Sequence, residues 1–198
     1  ALIRDKNCNQ LYILPASQTR DKDALTQEGV GKVLEELSKE FDYIVCDSPA
    51  GIEKGANLAL YFADDAFVVT NPEISSVRDS DRMLGILSSK SRRAERNEEP
   101  IKEYLLLTRY DSDRVKSGEM LGLDDVQEIL SLELLGIIPE SKSVLSASNA
   151  GIPVILNEKS EAGQAYADVV ARYLGEKLPH RFIDGKQGFL RRLFGGRK

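Results

Sequence analysis

Tryptophan is absent from the 198 residues, histidine occurs once, at His180, and cysteine twice, at Cys8 and Cys46. A single histidine excludes a histidine pair and any multi-histidine metal centre. No Ser-His-Asp or Cys-His arrangement is suggested, and His180 reads as a surface residue of a linker. Two cysteines cannot build a disulfide framework. Reduced, structural thiols in a cytosolic protein are the expectation, with Cys46 inside a buried strand. No apolar run approaches the ~18 residues of a membrane span, and no signal peptide is visible.

A further absence bears on chemistry. A phosphate-cradling loop needs glycine, four spacers and then Gly-Lys-Ser/Thr. The Gly31-Lys32 and Gly185-Lys186 pairs are followed by Val33 and Gln187, and Thr26 and His180 stand five positions before each glycine. Neither pair fits. The chain opens at Ala1 without an initiator methionine. We therefore expect a fragment that lacks an N-terminal strand and phosphate loop, and that does not hydrolyse ATP by itself.

What is present is globular in character. Hydrophobic residues make up 41% and charged residues 30%, enough to fill the core of one domain. Net charge is −5, but it is unevenly spread. The segment from Lys186 to Lys198 has five cations and no anion, so the rest carries −10. An acidic body with a basic tip speaks against broad nucleic-acid binding.

The pattern along the chain alternates strands and helices. Leu11–Pro15 reads as a short strand, and Asp23–Lys39 has helical spacing at Leu25, Val30, Val33, Leu34 and Leu37. Tyr43–Asp47 reads as a strand, Ile52–Phe62 as a helix and Ala66–Thr70 as a strand. Ser75 or Ser76 is placed to cap a helix reaching Lys90, with Val77, Met83, Leu84 and Leu87 inward. Ser91–Pro100 and Asp111–Gly122 read as loops, and Tyr104–Thr108 and Leu134–Ile138 as strands. Asp124–Leu130, Ser143–Ala150 and Ala165–Leu174 read as helices. This order indicates βαβ units, an α/β fold and a mostly parallel sheet.

The run Tyr43-Ile44-Val45-Cys46-Asp47 enters the Pro/Gly turn Ser48-Pro49-Ala50-Gly51. An apolar run bounded by a turn suits a strand buried in a parallel sheet, with Asp47 at its carboxyl end. Ligands bind at that edge of open α/β sheets. A carboxylate there is placed to hold Mg²⁺, or a metal-bound water, beside nucleotide phosphates. An aspartate at a strand end serves equally well as a cap for the next helix.

The far end carries a second signal. With Phe189 set at about 0° on a helical wheel, Leu193 falls near 40°, Leu190 near 100° and Phe194 near 140°. Arg191 and Arg192 fall at about 200° and 300°. One arc is apolar and the other cationic, the pattern of a helix lying in an anionic membrane surface. A helix packed on its own domain is the alternative. Each cation near such a surface is worth ~1 kcal/mol. Four apolar side chains give ~1.5–3 kcal/mol each only when fully buried, and ordering the helix costs roughly 1–2 kcal/mol per residue. One tail binds weakly; two tails on a dimer gain ~100-fold through effective concentration.

The chain resembles the MinD/ParA family of deviant Walker A P-loop ATPases over essentially its whole length. The resemblance is carried by Leu11–Gln18, Ile44–Ile52, Thr70-Asn71-Pro72-Glu73, Ser75–Arg82, Leu106–Tyr110, Gly136–Glu140 and Gly188–Gly196. It implies a twisted sheet with helices on both faces. It implies ATP and Mg²⁺ as cofactors, with Asp47 reaching Mg²⁺ through water and Ser48, Pro49, Ala50 and Gly51 as a switch loop. Arg109, Pro139 and Glu140 are then the residues framing adenine and ribose. A surface ion pair for Arg109 and a strand stop for Pro139 remain the simpler readings. Arg78, Asp79 and Asp81 are implied at a dimer and partner-binding face, although Asp79 could simply complement a helix dipole.

Phe189, Leu190, Arg191, Arg192, Leu193 and Phe194 match a membrane-targeting sequence. The resemblance implies three parts: residues 1–175 as the nucleotide-hydrolase domain, 176–187 as linker and 188–198 as tail. It further implies an ATP-bridged homodimer, with the division inhibitor MinC, the activator MinE and anionic lipids as partners. The setting would be the cytoplasm and inner face of a bacterial membrane, and the role septum positioning. A DNA-partitioning ATPase and a non-enzymatic membrane adaptor are the rival expectations.

Overall fold

In a computed structural model the described residues are 2–15, 25–48 and 54–183. They fall into two units divided after Phe62.

The first unit opens with a hairpin of two short antiparallel strands, β1 (Ile3–Arg4) and β2 (Tyr12–Ile13), with Ile3 opposite Ile13. Asp5 shapes the turn by accepting from the Asn7 and Cys8 amides at 2.8 and 2.7 Å. Those amides hold its carboxyl below the ordinary value. Tyr12 meets Phe41 edge-on at 5.3 Å. Helix α1 (Gln27–Leu37) starts where Thr26 accepts from the Gly29 amide at 3.1 Å. Helix α2 (Lys54–Tyr61) ends the unit.

One expectation fails here. Residues 43–48 form no strand, and Tyr43 and Val45 are 63% and 85% exposed. Cys46 is exposed as well. An apolar run makes burial favourable, but a strand exists only where a neighbouring strand shares its hydrogen bonds. The described residues give this segment no ladder.

The second unit is built on a parallel sheet in the order β3 (Asp65–Thr70), β4 (Lys102–Tyr110), β5 (Glu133–Pro139). Leu105, Leu106 and Leu107 are all buried on the central strand, as a sheet covered on both faces requires. Alternation sends them to opposite sides. Leu105 and Leu107 join Val77 of α3 (Ile74–Lys90), and Val126 and Leu130 of α6 (Leu123–Leu130). Leu106 joins Leu135 and Ile138 against Ala162, Ala165 and Val169 of α8 (Glu161–Tyr173). Within this unit, helices therefore flank a parallel sheet on both faces.

The crossovers hold more helix than periodicity suggests. Glu73, not Ser75 or Ser76, occupies the N-cap of α3. The segments read as loops contain α4 (Arg92–Glu95) and α5 (Ser112–Lys116), single turns opened by the Ser91 and Asp111 side chains. Good caps at both starts explain turns too short to show a period. Helix α7 (Lys142–Asn149) and a 3₁₀ turn (Val154–Leu156) join β5 to α8.

Candidate functional site

The carboxyl ends of β3, β4 and β5 gather a polar group. Thr108 Oγ1 donates to Asn71 Oδ1 at 2.9 Å, tying the end of β4 to the loop after β3. Asn71 precedes Pro72, which is fully buried, and the Leu121 amide donates to the Pro72 carbonyl at 3.1 Å. One residue along β4, Arg109 Nε donates to Glu140 Oε2 at 3.0 Å. The Glu140 amide donates to the Tyr110 carbonyl at 2.9 Å, and Tyr110 pairs with Pro139. Arg109, Pro139 and Glu140 thus meet at one sheet edge.

Arg109 is held in the left-handed region, at φ 55°. For a residue with a Cβ this conformation is strained, and such strain concentrates at functional edges. The β4–β5 register is irregular between Leu107 and Tyr110, and Arg109 sits inside that irregularity. Glu140 raises the pKa of the guanidinium, chiefly through their hydrogen bond and then through charge, with Glu73 adding to it. Both side chains are largely exposed, so the pair orients an edge rather than stabilising a core.

The remaining expected residues fall elsewhere. Asp47 lies in the first unit, exposed, in the irregular segment 43–48, and Ser48 is half-buried. Pro49, Ala50 and Gly51 lie outside the described residues, as do Phe189, Leu190, Arg191, Arg192, Leu193 and Phe194. Arg78, Asp79 and Asp81 are exposed on the first half of α3, and Asp79 has Arg82 at 4.0 Å. His180 departs from the surface reading. It is half-buried against α8, and burial first, then Arg172, pulls its pKa down, with Asp168 opposing. Thr108 and Asn71 were not singled out as site residues. A polar residue directly after a buried parallel strand is the signal that would have found Asn71.

The donor set bears on which groups could bind. A guanidinium, a carboxylate, a carboxamide and a proline ring suit a heteroaromatic base and sugar hydroxyls. Among the described residues no group of three His, Cys, Asp or Glu could hold a metal ion. Among these residues Mg²⁺ would fit as it does in nucleotide sites, through a single carboxylate, water and phosphate oxygens. Asp47 has the exposure for that role. No described helix is long and apolar enough to cross a membrane.

No protein-family model matches the chain. Septum site-determining protein MinD of Escherichia coli K12 is 67% identical over 198 residues, which is 99% of this chain and 73% of that protein. Among solved structures, the MinC:MinD cell division protein complex of Aquifex aeolicus superposes with a TM-score of 0.79 at 38% identity, over 93% of this chain and 71% of that one. Septum site-determining protein MinD of Pyrococcus horikoshii, complexed with Mg-ADP, does so at 0.65 and 26% identity, over 84% and 67%.

Proposed function

The chain belongs to the MinD family of septum site-determining proteins, and we propose that it acts as an ATP-dependent, membrane-cycling regulator of septum position. The observation that carries this is the polar edge where β4 and β5 end, with Arg109 held on Glu140 and Thr108 on Asn71. That edge is where open parallel sheets take nucleotides. Arg109, Pro139 and Glu140 frame the base and ribose. Asp47 would hold Mg²⁺ through water, and Ser48, Pro49, Ala50 and Gly51 would sense phosphate. Bound ATP supplies the phosphoryl group whose hydrolysis resets the cycle.

The nucleotide-bound form is a homodimer that offers two tails to an anionic membrane, where one tail would be too weak. Arg78, Asp79 and Asp81, exposed on α3, belong to the face that takes partners. The Aquifex aeolicus complex supports MinC as one of them. MinE, by stimulating hydrolysis, releases the dimer into single tails. The protein cycles between cytoplasm and the inner face of the bacterial membrane.

The test is sedimentation of the intact protein with anionic vesicles in ATP and in ADP. Binding in ATP that falls at least ~10-fold in ADP is the expected result. Equal binding in the two states would remove the switch. Turnover that stays at background with MinE and lipid present would leave a non-enzymatic adaptor.

A further inference from the structure

Residues 178–183 lie in a tract whose composition reads as linker, yet they are fastened to the second unit. Arg172 of α8 donates to the carbonyls of Leu178 at 3.1 Å and Pro179 at 2.8 Å, and to the Leu135 carbonyl of β5 at 3.0 Å. Arg181 returns the grip, with Nε and a terminal nitrogen donating to the two carboxylate oxygens of Asp168 at 2.9 and 2.7 Å. The pair is charge-assisted and bidentate, with Asp168 only 8% exposed and Arg181 about half exposed. Phe182 packs against the core on the α8 face and Ile183 against the core on the α3 face. Two consecutive residues on opposite faces mean that the chain crosses the edge of the sheet there.

We propose that Asp168 and Arg172 form a clasp that holds residues 178–183 as a strap and so sets the point from which the C-terminal tail reaches the membrane. The consequence for membrane binding rests on the tail reading proposed above; the clasp itself does not. With the strap closed, five residues lie between Ile183 and Phe189, six steps of chain and a reach of at most ~20 Å. With it open, the tether runs fifteen steps from Leu174 to Phe189, or ~50 Å. Effective concentration falls at roughly the −3/2 power of tether length, so opening the strap lowers the advantage of the second tail by about 4-fold. The clasp thus works as a positioning device for paired binding, without touching lipid.

Arg181→Ala in the full chain tests this, because Arg181 is about half exposed and Asp168 keeps Arg172 at 3.8 Å. Chymotrypsin cleavage after Phe182, identified by fragment mass, should speed up by at least ~10-fold, the equilibrium equivalent of a charge-assisted hydrogen bond. Cleavage after the buried Tyr110 should stay at the wild-type rate, which separates local opening from unfolding. Arg181→Lys, unable to span both oxygens, should fall between. Arg172 still holds Leu178 and Pro179 in this variant, so the tether lengthens only to ten steps from Pro179, and affinity for anionic vesicles in ATP should drop about 2-fold, with no change for single tails in ADP. Unchanged cleavage after Phe182 in Arg181→Ala overturns the clasp. Faster cleavage with unchanged ATP-state affinity overturns its role in reach. Wild-type protein that never sediments with vesicles sinks the tail reading instead, and the cleavage arm still decides the clasp.

Discussion

Thr108 and Asn71, 37 residues apart, are joined by a 2.9 Å hydrogen bond that locks the end of the central strand to the loop after its neighbour. The Thr108 hydroxyl also lies 3.3 Å from the Thr70 carbonyl. Thr108→Val keeps the shape and removes the only donor. It should cost about 0.5–1.5 kcal/mol in urea unfolding, and in the intact protein it should weaken nucleotide binding by titration calorimetry. Full stability in this variant would show that the bond does not order the edge.

Arg109 separates backbone strain from side-chain role. At φ 55° glycine is free of the steric penalty and a β-branched residue suffers it most. Arg109→Gly should match or exceed the wild-type urea midpoint, while Arg109→Val should fall below it. Both should lose nucleotide affinity equally if the guanidinium frames the base. A glycine variant less stable than the valine variant would contradict the strain assignment.

Gly163 tests how α8 is seated. A Cβ there would lie 2.5 Å from the Asn157 carbonyl oxygen and 2.6 Å from that of Val154. Backbone cannot swing aside as a side chain can, so Gly163→Ala must lift α8 from the 3₁₀ turn. A loss of about 1–3 kcal/mol in the chemical unfolding midpoint is expected. A neutral effect would mean that the helix is less firmly placed than its contacts indicate.

His180 should make the strap sensitive to mild acid. Its pKa is lowered below the ordinary 6.5, mainly by burial and then by Arg172. The unfolded chain therefore binds a proton more readily than the folded one. The stability held by the neutral ring is complete above pH 6.5 and falls as pH drops through that value. The charged groups facing it are Asp168, Arg172 and Arg181; Asp168 opposes the shift and Arg172 deepens it. Comparing urea midpoints at about pH 7.5 and 5.5, near and below the ordinary histidine value, wild type should lose more stability than His180→Gln. Equal losses would place the ring in water.

The sheet edge was legible because its signals are local. Strands β3, β4 and β5 each show an apolar run stopped by a turn-former or polar residue, so Arg109, Pro139 and Glu140 could be placed at strand ends before any coordinates. The one-turn helices α4 and α5 were not legible, since four or five residues are too few to show a period. The strand expected at Tyr43–Asp47 failed for a different reason. Hydrophobic pattern says that a segment gains by burial, but a ladder needs a neighbour.

Local periodicity, caps and strand-end residues were enough to indicate an α/β chain, and composition alone gave an acidic body and a cationic end, because each depends on residue identities or on residues a few positions apart. Only tertiary packing could hold Arg109 left-handed against Glu140 and bring Thr108 to Asn71. It likewise turned a linker-like stretch into a strap gripped by Asp168 and Arg172. Those arrangements join residues up to 43 positions apart, from Leu135 to Leu178 across Arg172, and the free energy that closes them comes from a core that only the assembled sheet supplies.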